Sequence, residues 1–193
     1  MIIDLKRPKK IVVMITIVCV IAALFLLGRT VGRKIFPMEY STLVEEYSAE
    51  FGLDPQLVYA IIHTESGFDP AARSPVGACG LMQIMPETFD WLQTKLPPGE
   101  IYGMPYLTHD YLDIPEVNIR YGTLFLSILL REFADERLAV AAYHAGQGRV
   151  RQWLSSGQVT PGSFEIGDIP SSATSHYVSK VERAKGIYAL LYG

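Results

Sequence analysis

The stretch that most limits what this chain can fold into is its amino-terminal run, MIIDLKRPKKIVVMITIVCVIAALFLLGRTVGRK, in which no charge falls between Ile11 and Leu27. A bilayer-crossing helix needs roughly 17 to 25 apolar residues, because backbone groups find no water there and must bond within the helix. The run meets that length. A cleaved signal peptide shares the basic start, but its apolar part is shorter and a small-x-small site should come after it. Here Arg29, Arg33 and Lys34 stand in that place, and Cys19, preceded by bulky Val18, sits mid-run rather than at a lipidation site. Residues 1–10 therefore read as a basic cytoplasmic tail, 11–28 as a retained transmembrane anchor and 29–37 as a short linker. Lys6, Arg7, Lys9 and Lys10 slightly outweigh the cations on the other flank, which puts the amino terminus inside and the next domain on the extracytoplasmic side of the cytoplasmic membrane.

The remainder, 38–193, suits one compact domain. It carries ten Lys or Arg against nineteen Asp or Glu, a net charge of −9 that argues against a nucleic-acid partner. Cys79 is the one cysteine in this part, so no disulfide can form within it and the core must supply stability. His63, His109, His144 and His176 are scattered without metal-ligand spacing, and neither metal nor cofactor is expected.

Helical spacing dominates the domain. Tyr40, Leu43, Val44, Tyr47 and Phe51 share one face and Gly52 stops the helix. In LDPQLVYAIIHTESG, Asp54 can cap, Pro55 suits the first turn and Gly67 can close the helix left-handed. Pro86 opens a further helix that Pro97 and Pro98 end. PGEIYGMPYLTHDYLD has no clear period and reads as an irregular wall or short sheet. PEVNIRYGTLFLSILLREF is a long apolar helix, DERLAVAAYHAGQGRVRQWL two helices broken around Gly146 and Gly148, and Tyr177, Val181, Ala184, Tyr188 and Leu191 line one face of a last helix. The class is mainly α.

One acid stands out against this pattern. On an ideal helix Glu65 lies within roughly 60° of Val58, Ile61 and Ile62, which points its carboxyl at the buried face. Desolvation and the negative helix end both disfavour the carboxylate, raising the pKa from about 4.3 toward 6, where the acid can donate a proton near neutral pH. The plainer reading is a carboxyl that caps a loop or pairs with Arg73. Against it stands the adjoining sequence: a chain-turning loop, then glycine-spaced Ser74, Gly77, Gly80, Gln83 and Met85, where backbone and ligand can approach closely.

ESGFDPAARSPVGACGLMQIMPETF, Glu65 to Phe89, resembles the first two motifs of the soluble-lytic-transglycosylase-like family. NIRYGTLFL resembles its next helix, AAYHAGQGRV its tyrosine motif and HYVSKV its final tyrosine motif, in consistent order from about Tyr40 to Tyr188. The resemblance implies a lysozyme-like lytic transglycosylase domain that acts on peptidoglycan glycan strands. It implies cleavage of the β-1,4 bond between N-acetylmuramic acid and N-acetylglucosamine, with Glu65 as acid and then base while the muramoyl 6-hydroxyl closes a 1,6-anhydro ring. Ordinary glycosidases need two carboxylates about 5 to 9.5 Å apart, whereas one suffices if the substrate supplies the nucleophile. Asp69 and Asp90 are the nearest other acids, and each has an easier place in a turn or on an exposed helix face.

By motif position Ser74, Gln83, Met85, Tyr143 and Tyr177 match the family's substrate-cleft residues. Ser74 also suits a turn, Met85 core filling and both tyrosines plain packing. Gln83 is the most telling, an amide in an apolar run that sugar hydroxyl and acetamido groups would satisfy. The chain departs from the family at His144, where asparagine is usual, at Gln147, where proline is common, and at Ala173, where many relatives carry a second glutamate. A hydrolytic muramidase of similar fold and a catalytically silent wall-binding or assembly module remain alternatives. So do roles in wall turnover, strand termination or opening a gap for a secretion apparatus, each with its own protein partners. The short linker favours action close to the membrane.

Overall fold

The computed structural model describes residues 6–97, 99 and 102–193; residues 1–5 of the basic tail, and Pro98, Glu100 and Ile101 of the wall segment, lie outside the described residues. The chain divides into two compact units, Met1–Pro37 and Met38–Gly193. The first is a single helix, α1 (Lys6–Ile35), whose part Val12–Ile35 has a mean hydropathy of 2.6 and is long and apolar enough to cross a membrane. Its threonines do not break the apolar surface: Thr16 and Thr30 donate to the Val12 and Leu26 carbonyls one turn back, at 3.0 and 2.9 Å. The helix does not stop at Gly28. It runs through Arg29 and Arg33 to Ile35, so most of the stretch read as linker is helical and far shorter, at about 1.5 Å per residue, than an extended chain.

In the second unit the elements are α2 (Ser41–Phe51), α3 (Pro55–Glu65), α4 (Pro86–Gln93), α5 (Pro115–Phe133), α6 (Glu136–Ala145), α7 (Gln147–Ser155) and α8 (Ser172–Tyr192), with short 3-10 helices at His109–Asp113 and Ile166–Asp168. No strand occurs among the described residues; two isolated bridges, Arg73 with Cys79 and Cys79 with Ile84, tie the α3–α4 loop to itself. The wall segment is accordingly irregular rather than a sheet, and Gln93 clamps it to α4 by accepting from the Leu107 amide at 2.6 Å and donating to the Leu107 carbonyl at 3.1 Å. α4 ends at Gln93, a turn before the prolines, and the break between α6 and α7 falls at Gly146, with Gly148 inside α7.

The core forms around α3, where every residue from Leu57 to Ile62 is buried. A helix apolar on all sides must be surrounded, and α8 and α2 pack against it, while α5 joins α2 to α6 and α6 leans on α8. The predicted face of α8 holds, with Tyr177, Val181, Ala184, Tyr188 and Leu191 all buried; on α2 Val44 and Tyr47 are buried, Leu43 and Phe51 are half-buried, and Tyr40 stands before the helix at φ +57°.

One polar residue in this core holds the α3–α4 loop. Asn118 of α5 is fully buried, accepts from the Met82 amide at 2.7 Å and donates to the Cys79 and Leu112 carbonyls at 2.9 and 2.8 Å. The loop approaches so closely that a Cβ at Gly80, where φ is +75°, would overlap the Asn118 amide and the Leu112 carbonyl, and one at Gly122 would overlap Met82. Asn118→Ala takes the side-chain partner from the Met82 amide and the Leu112 carbonyl, and leaves the Cys79 carbonyl only the bond from the Ile84 amide at 3.0 Å. We expect it to destabilise the protein by about 3–5 kcal/mol, read from denaturant unfolding of the detergent-solubilised chain.

Candidate active site

Glu65 owes its position to both ends of α3. At the start Asp54 accepts from the Gln56 amide at 2.9 Å and Pro55 takes the first helical position. At the end Glu65 is the last helical residue, and Gly67 turns the chain left-handed at φ +61° with its amide on the His63 carbonyl at 3.2 Å. Ser66 then staples the exit, donating to the Leu81 carbonyl at 2.8 Å and accepting from the Phe68 amide at 3.1 Å.

Two tyrosines from distant parts of the chain close on this carboxyl. The Tyr177 hydroxyl, on the buried face of α8, donates to Glu65 Oε1 at 2.6 Å. The Tyr143 hydroxyl donates to the Met82 carbonyl at 2.7 Å, with its ring against Phe125 at 5.2 Å between centroids. Burial pushes up the pKa of both hydroxyls, and the charge of Glu65 adds to it. Burial also acts on Glu65, raising its pKa to about 7 against the smaller opposing effect of the Tyr177 hydrogen bond. The direction matches the sequence reading, and the extent exceeds it because partners from outside α3, Tyr177 of α8 foremost, close on the carboxyl.

Among the described residues no second carboxylate acts on Glu65. Asp69 accepts from the Ala71 amide at 2.9 Å in a turn, and Asp90 meets His109 at 3.0 Å on the outside of α4. Arg73, the candidate partner of Glu65, pairs instead with Asp113. Ala173 is exposed at the start of α8.

The remaining sequence-picked residues shape the loop. Ser74 accepts from the Ala78 amide at 2.9 Å and forms the turn around Pro75. Gln83 sits at φ +48° and its amide donates to the Ala72 and Gly80 carbonyls at 3.1 and 2.9 Å, so protein groups already satisfy its NH2. Met85 is half-buried at the N-cap of α4, and Cys79 is buried. His63 packs on Phe68 and Tyr188. Beside Phe125 a cavity of about 280 Å³ opens between α4, α5 and the α6–α7 corner, lined by Glu87, Thr88, Trp91, Phe125, Gly146 and Gln147. Sequence reasoning misses Trp91 and Phe125, though aromatics facing outward from two helices are a signal for this wall.

The model of the transglycosylase SLT domain matches residues 42–162. The chain belongs to that family. Glu65, Ser74, Gln83, Met85 and Tyr143 lie within the matched span, and Tyr177 lies beyond it. Among relatives, the soluble lytic murein transglycosylase of Escherichia coli is 36% identical over 82% of this chain and 24% of its own length. Membrane-bound lytic murein transglycosylase C of Serratia proteamaculans is 33% identical over 78% of this chain and 46% of its own. A solved structure of an inactive glutamate-to-glutamine mutant of the lytic transglycosylase Slt from Pseudomonas aeruginosa superposes with a TM-score of 0.67 at 36% identity, covering 80% of this chain and 24% of that one. The mainly α, lysozyme-like SLT architecture is thus common to the family and this chain, which spans about a quarter of the soluble relatives' length and under half of the membrane-bound one's.

The raised pKa of Glu65 carries a stability cost with a definite sign. Below its unfolded value of 4.5 both states are protonated, and between 4.5 and about 7 only the unfolded state ionises. Stability from this site is therefore lost as pH rises through that window. Glu65→Gln removes the loss. The variant should match wild type near pH 4.5 and exceed it by about 1–3 kcal/mol at pH 7.5, measured as the pH dependence of denaturant unfolding.

Proposed function

We propose that the protein is a peptidoglycan lytic transglycosylase that cuts the β-1,4 bond between N-acetylmuramic acid and N-acetylglucosamine without consuming water, using Glu65 alone. The observation that carries this reading is a single carboxyl, pushed to a pKa of about 7, with a tyrosine on one oxygen and, among the described residues, no second carboxylate acting on it. Because Tyr177 donates to Oε1, the proton of the neutral acid resides on Oε2, ready for the leaving glycosidic oxygen. Protonation breaks the bond from the muramoyl anomeric carbon to that oxygen. The Glu65 carboxylate then takes the proton of the muramoyl 6-hydroxyl as O6 bonds to the anomeric carbon, giving the 1,6-anhydro end and restoring the acid. The glutamate-to-glutamine change in the inactive Pseudomonas relative fits one essential carboxyl.

In this reading Tyr177 and Tyr143 flank the reacting bond, Ser74 and Gln83 hold the loop against which the glycan lies, and Met85 lines its path into the aromatic-walled cavity. Digesting purified peptidoglycan and analysing the fragments by mass spectrometry should give anhydromuramoyl ends, with kcat/KM falling as pH rises past about 7 as the acid form is lost. Glu65→Gln should lower the rate by about 10² to 10⁴-fold. Reducing muramic ends would make the protein a hydrolase, and an inactive wild type a binding module.

We further propose that α1 is a retained single-pass anchor with the catalytic unit outside the cytoplasm, a reading supported by its length, its apolar surface and the membrane-bound relative. Protein recovered from membranes should carry the uncleaved amino terminus by mass. Protease added to spheroplasts should digest residues 38–193; protection of that segment would reverse the orientation.

A further inference from the structure

The bond between Tyr177 and Glu65 spans 112 residues of sequence, and something must hold the phenol ring in place for its hydroxyl to meet one carboxylate oxygen at 2.6 Å. Burial fixes the body of the ring. One of its faces is covered by the imidazole of His144, stacked on it with ring centroids 4.5 Å apart and planes inclined by 27°. His144 sits in the last turn of α6, the residue after Tyr143, so its helix already carries one half of the tyrosine pair.

The imidazole is itself locked. His144 Nδ1 lies 3.2 Å from the hydroxyl of Thr174, a residue 1% exposed in the first turn of α8. That hydroxyl donates onward to Ser171 Oγ at 3.1 Å, and Ser171 also caps α8 by accepting from the Thr174 amide. With its own hydrogen spent on Ser171, Thr174 can only accept from His144, so the neutral ring carries its proton on Nδ1 and its lone pair on Nε2. Protonation would then add a hydrogen at Nε2 and leave the Thr174 bond intact. The stack persists in both charge states, and partial burial favours the neutral one. Tyr177 on α8 is the titratable group stacked on the ring, and Tyr177 in turn feels the charges of Glu65 on α3 and Tyr143 on α6.

We propose that His144 is a positioning residue for the acid: clamped by Thr174, its ring is the wall that keeps the Tyr177 hydroxyl on Glu65 Oε1. The inference rests on Glu65 being the proton donor only where activity is concerned; the geometric claim stands apart from it. Without the wall Tyr177 gains room to swing away, and the carboxylate loses the hydrogen bond that opposes the effect of burial.

The test is a carbon-13 NMR titration of the Glu65 side-chain carboxyl in the detergent-solubilised full chain, assigned by its loss in Glu65→Gln, alongside the pH profile of kcat/KM. In His144→Ala the Glu65 midpoint should move up by about one pH unit, the size of one lost hydrogen bond to a charged acceptor, and the alkaline limb of activity should move with it. His144→Phe keeps a flat ring and should stay near wild type. Thr174→Val unlocks the imidazole without removing it and should give a smaller upward move. An unmoved midpoint in His144→Ala, or equal moves in the alanine and phenylalanine variants, would overturn the proposal. If instead Glu65→Gln kept full activity, the catalytic assignment would fall while the titration still decided the role of His144.

Discussion

Asn118 makes one side chain serve three backbone groups that water cannot reach, and most of the site hangs from that arrangement. The amide fixes Met82 and Cys79 against α5. Once Met82 is placed, its carbonyl receives the Tyr143 hydroxyl, and the neighbouring Leu81 carbonyl receives the Ser66 hydroxyl at the end of α3. A buried polar group of this kind is costly unless fully bonded, and fully bonded it specifies one arrangement of the chain rather than several. The glycines at 80 and 122 belong to the same device, since they let the loop and helix come within reach of the amide.

Around that frame the electrostatics of Glu65 are a contest between two effects of unequal size. Burial raises its pKa, and the Tyr177 hydroxyl lowers it by stabilising the ionised form. Burial wins, but the tyrosine keeps the result near neutrality, where a carboxyl can both give and recover a proton. In the proposed reaction, a drier site without the phenol would hold its proton too tightly to act as a base in the second half. A wetter one would surrender it before the first.

How much of this is legible in the sequence depends on how local the cause is. The apolar faces of α2, α3, α5 and α8, the Asp54 cap and the Gly67 turn come from spacing within a dozen residues, and the structure has them where the sequence puts them. The upward pKa of Glu65 is foreseeable from its own helix, although its size needs α8. The continuation of α1 through Arg29 and Arg33 is harder to see, because charges look like the end of an apolar helix, when long basic side chains are compatible with a helix that simply leaves the apolar layer. Asn118 reads in sequence as a motif member, although a buried amide inside an apolar helix asks for partners just as Gln83 does. Gln83 itself finds its partners in the protein. The stacking of His144 on Tyr177 joins α6 to α8, and no periodicity within either helix announces it.

The placement of Glu65 on the last residue of α3 has a consequence for which changes the chain can absorb. Between the Pro55 start and the Ser66 staple, the helix has a fixed length of 11 residues, and each residue added or removed would turn the carboxyl by about 100° and move it about 1.5 Å along the axis. A single insertion anywhere in α3, even one that preserved every apolar contact on average, would aim the acid away from Tyr177. The number of residues in this helix is therefore as much a part of the site's geometry as their identity.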